Sequence, residues 1–376
     1  MRKELIPIEF MTPGSEAYLS ALHFGDEAAP KVYIQASLHA DELPGSLASY
    51  YLHQRLIELE QQGRLRAHIV LVPFCNPLGL TQSVNYAHIG RFHLSTGQNF
   101  NRLFTVPLKQ AVLTELQQSA IRLGVDAQEN TRVLRAVMSK VLKDMSPSSN
   151  VHSLHLNLLR LSHDADIVLD LHCDNESVMH MYTLPSTWDF FEPLARHLGS
   201  QCQMVSEDSS ASSFDEMLST IWLDLKAAFP EAAIEQGLNS STVELRGEYD
   251  LSQDYAQADA DGILQFLHGH GYISLEENHV KVAPALINPP HPLEGLCYVP
   301  APMSGIVVYH VKPGQWVEEG QHVADVVDPI CLRCEQVFAP HRGFVFATSG
   351  TRLAIGERKL MSISCPEDIG HIGLSP

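Results

Sequence analysis

The sequence lacks any long apolar run. No segment approaches the roughly 18 consecutive apolar residues that a membrane-spanning helix needs, and residues 1–10 lack the apolar core of a secretory signal. Seven cysteines, an odd number, give no disulfide framework. Cys331 and Cys334 have the spacing of a metal-binding pair, but without a second pair we interpret them as ordinary loop thiols. We therefore expect a cytoplasmic protein with reduced cysteines and no membrane partner.

Basic residues are scarce as well. Lysine and arginine number 25 against 44 aspartates and glutamates, which gives a formal net charge of −19. This balance repels phosphate backbones and anionic lipid, and therefore argues against nucleic acid and membrane surfaces as partners. It does not exclude a small anionic substrate, because one or two arginines in a cleft can invert the local field.

Apolar strands alternate with helical patterns in the first three quarters of the chain. The 376 residues, 45% of them hydrophobic, suffice for two or three domains with sizeable cores. A strand at 31–36, a helix after Gly45 and a strand at 68–73 predict an α/β fold, with functional residues at the carboxyl ends of the strands. Further strands are predicted at 166–172, 203–205 and 241–245, and helices at about 107–160, 186–199, 213–228 and 252–269.

From about residue 286 the sequence changes to short strands with proline and glycine, after a predicted linker at 288–292. An internal repeat follows, because the pattern at 301–308 recurs at 339–346. We predict a catalytic domain at 1–285 and a small all-β barrel or sandwich domain at 286–376 that resembles the lipoyl/biotinyl carrier fold. A carrier function is disfavoured, since residues 324–329 lack the lysine that would be modified.

The candidate metal ligands are His39, Glu42 and His172. A catalytic zinc commonly takes three protein ligands and leaves one position for water. His39 and Glu42 follow the first buried strand, and His172 ends the strand at 166–172, so all three can meet at one edge of the sheet. The alternative is that His172, one of 20 histidines in the chain, ends the strand without binding a metal. Asp170 points to the same side as His172 and could orient it, and the alternative is an ordinary polar residue at a strand end.

Glu244 is the candidate general base. It lies inside an apolar strand, where an unpaired carboxylate is costly, and burial near a metal raises its pKa toward the working range. A hydrolase that activates water needs such a group to move the proton. A salt bridge with Arg246 is the alternative for Glu244, while Glu248 lies where the strand ends and is expected to be solvated.

Two arginines in the loop at 85–104 are candidates for substrate contacts. A guanidinium binds a carboxylate with two parallel hydrogen bonds, which is the role expected for Arg102 beside Asn101. Arg91 could stabilise the oxyanion of a reacting carbonyl. A solvated loop arginine remains the alternative for both.

Together these motifs resemble those of the zinc carboxypeptidase superfamily, and more closely those of its succinylglutamate desuccinylase/aspartoacylase family. In chain order they are His39 with Glu42, Asn101 with Arg102, residues 170–172 and residues 242–245. The resemblance covers about residues 30–275 and implies a zinc-carboxypeptidase-like mixed sheet flanked by helices. It implies one Zn²⁺ per chain on His39, Glu42 and His172, with Glu244 as the catalytic carboxylate. It also implies that Asn101 and Arg102 bind the substrate carboxylate and that Arg91 polarises the carbonyl.

The chain also departs from the family pattern. Ala40 and Asp41 stand where relatives usually carry glycine and often asparagine, and the segment 107–160 is longer and more helical than in compact relatives. No tyrosine can be assigned to the acid role that carboxypeptidases use, although Tyr249 and Tyr298 are candidates.

The resulting hypothesis is a zinc-dependent amidohydrolase that removes the acyl group from an N-acyl amino acid or a related small N-acyl compound. The alternatives are a metallocarboxypeptidase that cuts a peptide C-terminus and a non-catalytic binding protein on the same fold. The C-terminal β domain is expected to shape the mouth of the cleft or to mediate contacts in a homo-oligomer. The acyl group, the amine and the oligomeric state stay open.

Overall fold

A mixed nine-stranded sheet forms the centre of the first part of the chain. The computed structural model describes residues 1–102, 104, 106–119, 121–207 and 212–371, so residues 372–376 of the predicted C-terminal domain lie outside the described residues. The strands up to residue 292 are β1 (Arg2–Pro7), β2 (Tyr18–Phe24), β3 (Lys31–Ala36), β4 (His68–Val72), β5 (Ser83–Val84), β6 (Ala87–His88), β7 (Ile167–Asp174), β8 (Glu176–Ser177), β9 (His180–Thr183), β10 (Cys202–Val205), β11 (Asn239–Gly247) and β12 (His291–Pro292).

The order of strands in this sheet is β1-β2-β4-β3-β7-β11-β9-β10-β12. The four central neighbours β4, β3, β7 and β11 run parallel. The apolar runs predicted at 31–36, 68–73, 166–172 and 241–245 form these four strands, as expected for strands that are buried on both faces. The carboxyl ends of β3, β7 and β11 therefore lie side by side. The prediction of a mixed sheet flanked by helices is confirmed.

Helices cover both faces of the sheet, because alternate strand residues point to opposite sides. On one face α1, α6 and α8 pack against residues such as Ile34 and Leu171, and on the other α3, α4, α5 and α7 pack against residues such as Tyr33 and Val168. The helices are α1 (Pro44–Gln61), α2 (Pro77–Leu80), α3 (Leu108–Gln118), α4 (Ala127–Asp144), α5 (Asn150–Ser162), α6 (Trp188–Leu198), α7 (Phe214–Ala228) and α8 (Gln253–Gly269). The segment predicted as helical at 107–160 thus contains three helices with capped breaks between them.

The start of α1 packs very closely on the sheet at Gly45. A Cβ atom at this position would lie 2.8 Å from the Cβ of Leu171 in β7 and 3.0 Å from the Cβ of Ala36 in β3. Only a residue without a side chain allows this approach. The close contact fixes the turn that connects β3 to α1, and this turn contains His39 and Glu42.

The C-terminal strands form two further sheets. They are β13 (Leu296–Pro300), β14 (Gly305–Tyr309), β15 (Gln315–Val317), β16 (His322–Asp328), β17 (Arg333–Phe338), β18 (Gly343–Thr348), β19 (Leu353–Ala354) and β20 (Lys359–Ser364). Their orders are β13-β20-β18-β15 and β17-β16-β14-β19. If the first copy of the internal repeat is superposed on the second, β14 corresponds to β18 and β15 to β19, so the two orders are equivalent. The repeat in the sequence therefore corresponds to two similar sheets.

The two parts of the chain are joined by more than a linker. The predicted linker at 288–292 contains β12, which forms the edge of the large sheet next to β10. In the other direction β8, which follows β7, pairs with β18 of the C-terminal sheet. Beside this pairing Arg352 contacts both carboxylate oxygens of Glu176, at 2.8 and 2.7 Å. None of the helices in the described residues is long and apolar enough to cross a membrane.

Replacing Gly45 by alanine tests the close approach of α1 to the sheet. We expect Gly45→Ala to lower the free energy of unfolding by about 1–3 kcal/mol, because the added methyl group overfills a packed contact. Gly269→Ala is the matched control, since no atom lies within 4 Å of a Cβ built there. The measurement is the midpoint of chemical unfolding, and an equal midpoint for Gly45→Ala and the unmodified chain would contradict this account.

Candidate metal centre and cleft

His39, Glu42 and His172 lie together at the carboxyl ends of β3 and β7. The two oxygens of Glu42 are shared between the imidazoles, with Oε1 at 2.8 Å from His39 Nδ1 and Oε2 at 2.7 Å from His172 Nδ1. One potential ligand atom from each residue lies within 4.8 Å of the others, and all three side chains are buried. The structure therefore brings together the three residues predicted as metal ligands.

A tight turn after β3 directs Glu42 back toward His39. Ser37 has a positive φ of 59°, which turns the chain away from the strand direction. The Ser37 hydroxyl donates a hydrogen bond to the Glu42 carbonyl oxygen at 2.8 Å, and the Glu42 amide donates to the carbonyl oxygen of His39 at 3.1 Å. The backbone amide of Cys173 in β7 also lies 3.2 Å from Glu42 Oε2, which connects this turn to the neighbouring strand.

Each imidazole has a side-chain oxygen close to its outer nitrogen. His39 Nε2 lies 2.9 Å from Asn99 Oδ1, and His172 Nε2 lies 3.0 Å from Asp170 Oδ2. Both Nδ1 atoms consequently face Glu42. The alternation along the strand predicts this position of Asp170. Asn99 was missed, although it lies in the loop that supplies Asn101 and Arg102, because loop conformation is not readable from spacing.

The charges of this group suit a divalent cation. Burial lowers the pKa of His39 to about 4, so its imidazole is neutral and can act as a ligand. Burial also lowers the pKa of His172, but Asp170 and Glu42 outweigh this and raise it well above its usual value. His172 therefore lies between two carboxylates, an arrangement that favours a positive charge at this position. A divalent ion bound to two imidazoles and a carboxylate would take the place of that positive charge.

The loop that carries Arg91 is fixed to the turn after β3. The amide of Gly90 donates to Asp41 Oδ2 at 2.9 Å, and the Ala40 amide donates to the Gly90 carbonyl oxygen at 3.0 Å. A Cβ at Gly90 would lie 2.3 Å from the Asp41 nitrogen, so the two backbones touch. This contact places Arg91 Nη1 3.3 Å from Glu42 Oε1. The backbone of Ala40 and the side chain of Asp41 therefore hold the loop that carries Arg91.

Glu244 faces the same region from β11, where its Cα is paired with that of His172. Its side chain is half-buried, and its Oε2 atom is buried without a hydrogen-bond partner in the described part of the chain. Burial, reinforced by Glu42, raises the pKa of Glu244 to about 8. The alternative pairing with Arg246 does not form, because Arg246 Nη1 donates to Asp259 Oδ1 at 3.1 Å. Glu248 accepts a hydrogen bond from Asn175 at 2.7 Å.

Asn101 and Arg102 border the same cavity with different exposure. Asn101 is buried, its Oδ1 accepts from the Phe214 amide at 2.9 Å, and its Nδ2 lies 3.2 Å from His172 Nε2. Arg102 is half-buried and donates to the Asn101 carbonyl oxygen at 2.8 Å. Burial lowers the pKa of Arg102, and the nearby charge of Arg91 adds to this effect. An anion beside Arg102 would offset this cost of burying the guanidinium.

A cavity of about 950 Å³ connects these residues. Its volume is in the range of small-molecule sites. One wall comes from the large sheet and includes Tyr182, and another comes from the C-terminal sheets and includes Tyr298, Arg358 and Lys359. Of the two tyrosines considered from the sequence, Tyr298 lines the cavity, whereas Tyr249 is 87% exposed and lies outside it. Tyr182 was missed because its strand, β9, was not predicted.

The fold and this group define an α/β protein with a buried candidate centre for a divalent metal. Residues 28–134 match the family model of the Succinylglutamate desuccinylase/Aspartoacylase catalytic domain, a family of deacylases. The resemblance to this family that the sequence motifs predicted is thereby confirmed. No curated protein gives a significant match to the chain.

Solved structures share the fold over nearly the whole chain. A Shewanella amazonensis SB2B protein named for the succinylglutamate desuccinylase/aspartoacylase family is 22% identical, with 97% of this chain and 98% of that chain covered at a TM-score of 0.81. The ectoine utilization protein EutE (DoeB) from Ruegeria pomeroyi is 15% identical, with coverage of 96% and 94% and a TM-score of 0.66. A succinylglutamate desuccinylase/aspartoacylase from Rhodobacter sphaeroides is 15% identical, with the same coverage and a TM-score of 0.64. At these identities the likeness establishes the fold alone.

Removing the amide that orients His39 tests how the centre is built. We expect Asn99→Ala to lower the affinity for the divalent ion that binds most tightly to the chain by roughly 10–100-fold. Removing a hydrogen-bond partner of a metal-bound imidazole typically has an effect of this size. Gln98→Ala, at the adjacent half-exposed position, is the matched control and should bind the ion as the unmodified chain does. Competition with a chromophoric chelator measures the affinity. The account fails if the two variants bind the ion equally well.

Proposed function

We propose that this protein is a zinc-dependent hydrolase that cleaves the amide bond of an N-acyl amino acid or a related small N-acyl compound. The observation that carries the proposal is Glu42, whose two carboxylate oxygens are shared by the Nδ1 atoms of His39 and His172 beneath a cavity that also contains Glu244. Two imidazoles and a glutamate form one of the known ligand sets of catalytic zinc. The deacylase family matched by residues 28–134 supports the same reaction class.

His39, Glu42 and His172 would hold the ion. Zinc bound there would act as a Lewis acid toward the scissile carbonyl and would lower the pKa of a bound water. The raised pKa of Glu244 suits a group that takes a proton from the attacking water and returns it to the leaving nitrogen. In this reaction a C–O bond forms, the amide C–N bond breaks, and the products are a carboxylic acid and an amine.

Arg91 and Arg102 would position the substrate. Arg91 Nη1 lies beside Glu42, where it can donate a hydrogen bond to a carbonyl oxygen that gains negative charge. The half-buried guanidinium of Arg102 borders the cavity and can bind a substrate carboxylate. Asn101 would act mainly by holding the site together, because both of its side-chain polar atoms contact protein groups.

The position of the C-terminal sheets beside the cavity favours a small substrate over a polypeptide. Tyr298, Arg358 and Lys359 line the same cavity as His39 and Glu244, so this part of the chain would limit the length of any molecule that binds there. The positive charges of Arg358 and Lys359 would also favour an anionic compound. We propose on this basis that the C-terminal β domain predicted at 286–376 shapes the mouth of the cleft.

A panel of substrates tests the proposed reaction. N-acetyl and N-succinyl derivatives of acidic and neutral amino acids, together with short unblocked peptides, would be incubated with the full chain before and after removal of metal by a chelator. We expect hydrolysis of at least one N-acyl amino acid, its loss with the chelator and its recovery with Zn²⁺. Hydrolysis that survives metal removal, or cleavage of peptides alone, would overturn the proposal.

Replacement of Glu244 separates catalysis from metal binding. We expect Glu244→Gln to slow hydrolysis by roughly 10²–10⁴-fold, since general acid–base catalysis contributes about that much, and to leave the zinc content unchanged. Glu248→Gln is the matched control, because this carboxylate also lines the cavity but contacts Asn175. The assigned role would be wrong if Glu244→Gln kept full activity or if both variants lost activity equally.

A further inference from the structure

A second group of two histidines and a carboxylate lies on the C-terminal four-stranded sheet. Asp325 Oδ2 is 2.8 Å from His310 Nε2, and Asp325 Oδ1 is 2.8 Å from His322 Nε2. One potential ligand atom from each residue lies within 4.8 Å of the others. None of the three lines the cavity described above.

The arrangement is similar to that of the candidate metal centre at His39, Glu42 and His172. In both groups one carboxylate is shared, with each oxygen contacting the nitrogen of a different imidazole. The nitrogen–oxygen distances are 2.8 and 2.7 Å around Glu42 and 2.8 and 2.8 Å around Asp325. The ring centroids are 5.1 Å apart in the first group and 4.5 Å apart in the second. The chain thus contains the same donor set twice.

A β-bulge in β16 brings the second group together. In a regular strand, residues three positions apart point to opposite faces of the sheet. The pairing of β16 with β17 passes from His322 to Ala324 and leaves Val323 unpaired, so His322 and Asp325 face the same side. The carbonyl oxygen of Val323 accepts a hydrogen bond from the His310 amide at 2.9 Å, which places His310 beside them.

The side chains of His310, His322 and Asp325 are 39%, 32% and 21% exposed. Ion pairs that are exposed to solvent in this way contribute little to stability. The bulge and the convergence of His310, His322 and Asp325 therefore have little evident benefit for folding. An ion can reach these donors from solvent, and it would leave further coordination positions open to water or to an external donor.

We propose that His310, His322 and Asp325 form a second site for a divalent transition-metal ion such as Zn²⁺, separate from the centre at His39. Imidazole nitrogen together with carboxylate oxygen suits zinc and its neighbours better than magnesium or calcium. The strongly negative net charge of the chain, −19, also favours the binding of cations. This site does not depend on the proposed hydrolase function.

A third group, His23, Glu27 and His68, is a weaker candidate. Its carboxylate is already held by Arg2, whose Nη2 lies 2.7 Å from Glu27 Oε1. A cation at this position would have to displace a guanidinium from its salt bridge. Within the described part of the chain, Asp325 forms its ion pairs with His310 and His322, so no guanidinium competes for this carboxylate there.

Equilibrium dialysis of the full chain against Zn²⁺, with the bound metal counted per chain, tests the proposal. The comparison uses His39→Ala, which impairs the first centre, and the double variant His39→Ala/His322→Ala. We expect the single variant to retain one zinc ion that the double variant loses. A double variant with His341→Ala in place of His322→Ala is the matched control, because His341 is exposed on the same part of the chain but lies outside the group. This control should retain the ion.

Equal zinc content in His39→Ala and His39→Ala/His322→Ala would overturn the proposal, whether both bind none or both bind the same number. Asp325→Asn in the otherwise unmodified chain provides a second comparison that conserves side-chain size. It should lose one bound zinc ion relative to the unmodified chain and keep its rate of hydrolysis. Unchanged zinc content in Asp325→Asn would likewise exclude the site.

Discussion

The structure of the cleft depends on one buried carboxylate. Glu42 is 3% exposed and directs one oxygen to each of two imidazoles, one in the turn after β3 and the other in β7. A buried charge is costly unless it is compensated, so Glu42 requires that β3 and β7 be neighbours and that the turn after β3 fold back on itself. The positive φ of Ser37 and the close approach at Gly45 satisfy these requirements. The neighbouring positions of β3 and β7, the packing of α1 and the candidate centre therefore belong to one arrangement.

Around this carboxylate, contacts between loops set the positions of the other groups. Asp41 holds Gly90 and with it Arg91, while Asn99 and Asp170 orient the two imidazoles. The strand that carries His172 continues into β8, which pairs with the C-terminal sheet. The C-terminal part is thus fixed relative to the centre, and it supplies Lys359 to the wall of the cavity. This gives a physical basis for the proposal that both parts of the chain select the substrate.

The sequence was sufficient for the central strands and for the convergence of His39, Glu42 and His172. Continuous apolar runs such as 68–73 are typical of buried parallel strands, and residues at their carboxyl ends must lie near one another. It was insufficient where tertiary contacts decide. Asn99 acts through the conformation of a loop, Tyr182 lies on a short strand, and the edge strand β12 comes from a segment whose prolines predicted a linker. A bulge such as that at Val323 is equally invisible, because it depends on pairing with another strand.

The most direct test of the central claim is crystallographic. Crystals of the zinc-loaded chain would be measured on both sides of the zinc absorption edge. The account predicts an anomalous peak within about 2.0–2.2 Å of Nδ1 of His39, Nδ1 of His172 and a carboxylate oxygen of Glu42. It would be contradicted if the anomalous signal lay only elsewhere in the molecule while these three side chains kept their hydrogen bonds to one another.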